Sequence, residues 1–335
     1  MFDISKCDFC GECLEKCQYQ NYDKEEGSRQ IKALTKGQKA EILSECITCF
    51  ACNEYCPKGA NPFDLISEYQ EKWKLIPDSD LILSMLDQMI NDVPNEVIWG
   101  NLNKPALSLC AYESLLPQDA IKGRLFDDLT VIKGSKYFCW IGLAHIGRQT
   151  PIKENAQAFI ENLAEVGVKE IIFVHDDCYA MLVKKIRDYN IELPFRPVHI
   201  FSYLLDFLKS NQNFVTKINK KIAYQRPCAS RYTPEKEWML DEIFDLIGVE
   251  RVDRRYDREN ALCCGGPLMD IDQGRLNDIQ DRNLNDAKEH GADAMVYLCP
   301  VCYTFMNEIT HNYGMSSIFL TNLCRIALGE EPFPS

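Results

Sequence analysis

The sequence predicts a multidomain α+β protein: a small helical domain rich in cysteine, followed by two pseudo-repeated α/β units. Three observations predict it. Residues 1–75 hold eight of the 17 cysteines, in two runs of the same spacing. From residue 104 onward, apolar runs of strand length (IIFVH, AMVYL) alternate with helical ones (ENAQAFIENLAEVG, RNLNDAKEHG), as in parallel α/β units. That same region also matches itself when one half is laid on the other.

Composition bounds the function. At 335 residues the chain has room for two or three domains, and its net charge of −13 disfavours a nucleic-acid groove. The N-terminus, MFDISKCDFCGEC, lacks a basic head followed by an apolar run. No stretch approaches ~18 uninterrupted apolar residues. A soluble, cytoplasmic protein is therefore expected. In a reducing compartment, clustered cysteines serve as metal ligands or catalysts more often than as disulfides. No G-x-G-x-x-G follows a strand-like run, so a nicotinamide or flavin cofactor would sit on another subunit.

Cys7, Cys10, Cys13 and Cys17 read C-x2-C-x2-C-x3-C, and the spacing returns further on as Cys46, Cys49, Cys52 and Cys56, followed by Pro57. In ferredoxin-like modules with this spacing, three thiolates of a run wrap one [4Fe-4S] cubane and the fourth reaches the other. One cubane then takes Cys7, Cys10, Cys13 and Cys56; the other takes Cys46, Cys49, Cys52 and Cys17. Zinc is the alternative, but it uses two CxxC knuckles per ion and leaves the third cysteine of each run idle. Gln18 stands where the pattern carries proline. Between the runs, few residues are β-branched, which favours a helical ferredoxin-like domain over residues 1–75 rather than a β-hairpin one. Pro94, Gly100 and Pro105 punctuate the end of a helical linker, residues 76–103.

The self-similarity sets the remaining boundaries. KPALSLCAYES (104–114) matches KKIAYQRPCASRY (220–232), and EVGVKEIIFVHDDCYAML (165–182) matches EHGADAMVYLCPVCYTFM (289–306) without a gap. The expected units are 104–215 and 218–335. Ligands of parallel sheets collect at the carboxyl ends of the strands, where the cysteines of both copies fall. In the second copy they run Cys228, then Cys263-Cys264-Gly265-Gly266, then Cys299-Pro300-Val301-Cys302, with equal intervals between the three groups. In the first, Cys110 stands for Cys228, Cys139 for the CCGG turn, His175 for Cys299 and Cys178 for Cys302. Cys110, Cys139, His175 and Cys178 form a candidate further metal site, a Cys3His set suited to zinc or to a further cluster. Cys324 is expected to be a buried helix residue, and His145 and His311 carry no signal.

Adjacent cysteines strain the backbone when paired with each other, but a single turn can present both sulfurs to neighbouring irons. Gly265 and Gly266 lack Cβ atoms, so the backbone there can approach a cluster and point N–H groups at its sulfides. A zinc site would use four of the five cysteines and leave the CC pair unexplained. A thioredoxin-like dithiol at Cys299 and Cys302 would leave three idle.

On these residues the C-terminal part resembles the cysteine-rich CCG domain of heterodisulfide reductases and their relatives. The whole chain resembles a fusion of that family's small cluster subunit with its catalytic subunit. The resemblance implies a non-cubane [4Fe-4S] cluster held by Cys228, Cys263, Cys264, Cys299 and Cys302, with Cys263 and Cys264 at the catalytic centre. It also implies an oxidoreductase of anaerobic metabolism that passes electrons through two cubanes to that cluster. There a small disulfide is reduced, or a thiol pair oxidised in reverse. Expected partners are a flavin-containing or other electron-donor subunit and a membrane-bound quinone-reactive subunit, which would hold the protein peripheral to the membrane. The alternative is a pure electron-transfer subunit linking a flavoprotein dehydrogenase to a quinone or membrane partner, without a substrate of its own.

Overall fold

The computed structural model describes residues 1–334. Residues 1–75 form α1 (Glu12–Glu15), α2 (Lys24–Thr35), α3 (Ile42–Glu45), α4 (Ala51–Tyr55) and α5 (Pro62–Trp73), with no strand among them. The two cysteine runs adopt the same backbone. Phe9 and Thr48, before the second cysteine of each run, and Gly11 and Phe50, after it, all lie in the left-handed region. These reversals turn successive thiols toward one centre, and α1 and α4 then carry the next cysteine away. At position 11 only glycine fits, because a Cβ there would meet the Lys24 carbonyl oxygen at 2.0 Å. Leu14, Ile31, Leu34, Ile42, Leu43 and Ile66 close a small core behind the runs.

The segment expected to be a helical linker, 76–103, is divided. Ser79 accepts a hydrogen bond from the Ile82 N–H at 3.1 Å and caps α6 (Asp80–Asn91). Residues Glu96–Ile98 instead form β1, which pairs antiparallel with β3 (Thr130–Lys133) at the edge of the first sheet. So short a strand, with only Val97 half-buried, leaves little periodicity to read. Its backbone groups find partners only because β3 lies alongside.

The first sheet has the order β1-β3-β2-β4-β5, with β2 (Ala106–Cys110), β4 (Glu170–Phe173) and β5 (Arg196–His199) parallel to β3. Around it lie α7 (Thr150–Ala164), α8 (Asp176–Ala180), α9 (Ile186–Asp188), reached through a π turn at Met181–Lys185, and α10 (Ile200–Ser210). The second sheet is all parallel: β6 (Lys220–Gln225), β7 (Val249–Arg251), β8 (Ala294–Tyr297) and β9 (Ser316–Phe319), in the order β7-β6-β8-β9. Its helices are α11 (Glu237–Ile247), α12 (Gln273–Glu289), α13 (Pro300–Asn312) and α14 (Leu320–Ala327). Setting β1 aside, both sheets place their strands second, first, third, fourth. The central strands β2 and β8 are buried along their whole length, as strands covered on both faces must be.

Buried ion pairs join the parts. Asp64 of α5 accepts from Lys185 at 2.7 Å and from the Tyr232 hydroxyl at 2.8 Å, one residue from each α/β unit. Glu54 of α4 accepts from Arg226 at 2.7 Å and Arg231 at 3.1 Å. Lys236 of the second unit lies 2.8 Å from Asp176 of the first. Removing one member of such a pair strands the other without water, so these contacts fix relative positions strongly. Among the described residues no helix is long and apolar enough to cross a membrane.

Candidate functional site

The carboxyl ends of the two sheets and the second cysteine run of the helical domain meet in one region. Cys228 follows β6, Cys263 and Cys264 lie in the loop after β7, Cys299 caps α13, and Cys302 sits in its first turn. All five are buried, and all line a single cavity that is partly open to solvent. Their thiols lie close enough to share protons along the series Cys228, Cys263, Cys264, Cys302, Cys299. Hydrogen bonding from Cys263 and then Cys302 brings the Cys264 thiol down to about 6. The Cys302 thiol, with the His175 charge behind it, brings Cys299 down to about 5. Thiolates, not thiols, ligate metals, so Cys264 and Cys299 are brought toward the ligating form, while Cys228, Cys263 and Cys302, which hold the shared protons, are pushed up.

The loop that presents the CC pair is held by its backbone. Arg226 donates to the Arg258 carbonyl at 3.0 Å, and Arg231 donates to those of Glu259 at 2.8 Å and Ala261 at 2.5 Å. Gln225 donates to the Leu262 carbonyl at 2.9 Å and Gln280 of α12 to that of Cys264 at 3.0 Å. The Cys263 N–H donates to the Tyr19 hydroxyl at 2.7 Å, and the Gly265 N–H points at the Cys263 sulfur at 3.4 Å. Five carbonyls of this segment, those of residues 258, 259, 261, 262 and 264, thus have side-chain partners. Gly265 is left-handed (φ +83°), and a Cβ there would meet Leu276 Cδ1 at 2.2 Å. At Gly266 a Cβ would come within 3.0 Å of the Phe305 ring and 3.6 Å of the Cys264 sulfur.

The N-terminal thiols also come together. Cys56 lies beside Cys7 and Cys13 of the first run, with Cys10 adjacent, while Cys17 lies beside Cys46, Cys49 and Cys52 of the second. Burial, more than the neighbouring sulfurs, pushes Cys13 up to about 12 and Cys17 to about 11. Cys17, Cys46, Cys49 and Cys52 line a second, smaller cavity. Tyr19 links this cavity to the CC turn through its hydrogen bond to Cys263. Phe50, between Cys49 and Cys52, stacks on the His145 ring with centroids 4.5 Å apart.

In the first α/β unit, Cys110, Cys139 and Cys178 place their sulfurs within 4.8 Å of one another. His175 does not join them. Its Nε2 lies 3.4 Å from the Cys299 sulfur, across the boundary between the units. The reason is positional: His175 caps α8 as Cys299 caps α13, and the two strand ends face each other. Burial pulls the His175 pKa down, but Asp177 and Cys299 overcome this and raise it to about 10. His145, silent in the sequence, also lines the main cavity, with Nε2 3.9 Å from Asp177. Gln280, Tyr19 and Arg231 are equally illegible in the sequence, since each acts on backbone atoms of a distant segment. His311 is exposed on α13, and Cys324 is buried in α14.

The donor sets discriminate between groups. Among the described residues only the trio Cys110, Cys139 and Cys178 brings three ligand atoms within 4.8 Å, the reach of a single ion. The five thiols of the second unit exceed the four of a tetrahedral ion, and both they and the two four-thiol sets of the helical domain are spread more widely than the trio. Their chemistry fits iron–sulfur groups.

Residues 222–307 match the family model described as "Cysteine-rich domain", CCG. The chain is 22% identical over 360 residues to a dihydromethanophenazine:CoB--CoM heterodisulfide reductase subunit of Methanosarcina acetivorans, covering 90% of this chain and 88% of that one. The corresponding subunit from Methanosarcina mazei is 24% identical, with 90% of this chain and 71% of that one covered. Among solved structures, a hypothetical protein from Helicobacter pylori shares the fold, with a TM-score of 0.60 at 15% identity over 91% of this chain and 68% of that one. The chain is thus similar along most of its length to heterodisulfide reductase subunits, and its residues 222–307 match the CCG cysteine-rich domain.

Proposed function

We propose that this protein is the iron–sulfur subunit of a heterodisulfide reductase-like complex, in which a disulfide is reduced at the cavity between the two α/β units. The observation that carries the reading is the convergence there of five buried cysteines, with the thiols of the helical domain tied to the same turn through Tyr19. In this reading residues 1–75 hold two [4Fe-4S] cubanes, one on Cys7, Cys10, Cys13 and Cys56 and one on Cys46, Cys49, Cys52 and Cys17. Cys228, Cys263, Cys264, Cys299 and Cys302 hold a non-cubane [4Fe-4S] cluster. Residues 104–215 and 218–335 are a tandem pair of CCG-type units, a reading supported by their common strand order, and the first retains a single-ion site for zinc at Cys110, Cys139 and Cys178. The clusters supply one-electron carriage and, at the five-thiolate set, an iron able to take a sulfur ligand.

The chain's own residues do the rest. Arg226, Arg231, Gln225 and Gln280 hold the CC turn rigid, so the sulfurs of Cys263 and Cys264 keep their places as charge changes. Tyr19, kept protonated by burial, ties that turn to the helical domain. The net reaction is RS–SR′ + 2 e⁻ + 2 H⁺ → RSH + R′SH, with electrons from a donor subunit, flavin-containing or otherwise, and protons from solvent. The S–S bond breaks and each sulfur leaves with one electron and one proton.

The test is an anaerobically purified and reconstituted sample. Two cubanes and one further cluster give about 12 irons per chain, and the dithionite-reduced protein should open a small disulfide. About 8 irons would remove the five-cysteine cluster. Full iron without disulfide turnover would favour an electron-transfer subunit.

A further inference from the structure

The cavity that the five cysteines line has a wall that the chemistry above does not use. One face of α6 supplies it: Ile82, Met85, Leu86 and Met89, at helical spacing, all line the cavity. Phe305 of α13 also lines it. Among the described residues, no lysine or arginine lines the cavity. Its one carboxylate, Asp177, faces His175 at 3.6 Å and His145 at 3.9 Å. An anionic ligand would therefore find no cation free to pair with, and would give up its hydration on entering.

From this we infer the substrate class: the sulfur compound handled here is neutral and carries an apolar arm that lies along α6, the flexible thioethers of Met85 and Met89 adapting to its shape. The inference rests on the disulfide-reductase reading of the same cavity. It goes further in excluding carboxylated or sulfonated disulfides and in making α6 the specificity element.

Two measurements separate the claims. The first uses reconstituted full-length protein and two non-reducible thioethers of the same skeleton, dibenzyl sulfide and its dicarboxylate, with binding followed by calorimetry. The neutral thioether should bind at least about tenfold tighter. Met85→Lys should narrow that gap by about tenfold or more, whereas Met85→Gln, close in shape and uncharged, should leave it within about twofold. Equal or tighter binding of the dicarboxylate to the wild-type protein would overturn the inference, and needs no variant to fold. So would a Met85→Lys protein, folded by circular dichroism, with an unchanged gap. The second measurement is turnover of the matching dibenzyl disulfide with reduced methyl viologen as donor. Turnover without preference for the neutral form leaves the reductase reading standing and removes the substrate class. The expected binding preference without any turnover does the opposite.

Discussion

The two α/β units share a scaffold and differ in what they carry. Setting β1 aside, both order their strands second, first, third, fourth, and in the loop after β3 and after β7 a cysteine is followed by a left-handed residue that starts a tight turn: Trp140 in the first, Gly265 in the second. The first retains a Trp where the conformation favours glycine, a costly choice that persists only when surrounding packing imposes it. Cys110 is likewise left-handed, at a register shift in β2. Yet the first unit gathers three sulfurs at single-ion spacing, and the second gathers five along an extended series. One strand order thus carries two different thiol sets: strand order depends on apolar packing over whole elements, while the thiol set depends on a handful of side chains at strand ends.

The contrast is sharpest at the cysteines. Cys264→Ser should lower disulfide turnover by more than the ~100-fold reached when outer-shell partners of metal ligands are lost. Cys139→Ala, its counterpart in the first unit, should lower the melting temperature through lost ligation but leave turnover per folded molecule within about twofold. Comparable turnover losses from both would show that the first unit takes part in the chemistry.

Next in size is the seam between the units. Asp176→Asn leaves Lys236 buried without its partner and should cost about 3–5 kcal/mol by chemical denaturation. Although burial opposes it, Lys236 and His199 hold the Asp176 carboxyl well below the usual range. Its contribution is therefore fully present above the unfolded carboxylate value, about pH 4, and is lost as the pH falls through the lower folded value. The wild-type protein should lose stability below about pH 4 more steeply than Asp176→Asn. Parallel acid profiles would assign the lability elsewhere.

Gly265→Ala should cost about 1–3 kcal/mol, because both the positive φ and Leu276 oppose a Cβ. The first unit tolerates Trp at the equivalent place only through its own packing, so a neutral Gly265→Ala would mean that the two turns are built alike. Smallest is Tyr19→Phe, which removes the acceptor for the Cys263 N–H and should cost about 1 kcal/mol. Electron delivery to the five-cysteine site, read by stopped-flow reduction, should slow with it. An unchanged rate would take Tyr19 out of the path.

Both cysteine runs, the five-cysteine series and the alternating α/β pattern are legible in the sequence because each is a local spacing or period. The pairing of His175 with Cys299 is not. In the linear chain His175 stands among the cysteines of the first unit, close to Cys178, and only the facing of two strand ends turns its ring toward the second. Nor does the segment Glu96–Ile98 announce a strand, since its partner β3 comes from a later stretch of the chain. His145 looks inert in the sequence because the partners that give it meaning, Phe50 and Asp177, come from the helical domain and from α8.

What the sequence by itself determined is the inventory: two four-cysteine runs, a CC pair flanked by glycines and outlying cysteines, and elements enough for two parallel sheets. Residue type and spacing are properties of the covalent chain, and ligation chemistry follows from them. The tertiary structure alone decided that His175 turns to Cys299, that the helical domain abuts the CC turn through Tyr19 and through Glu54 on Arg231, and that the apolar face of α6 walls the cavity. Those are contacts between segments far apart in the chain. They are set by how buried ion pairs and apolar faces fit together, and no local pattern records them.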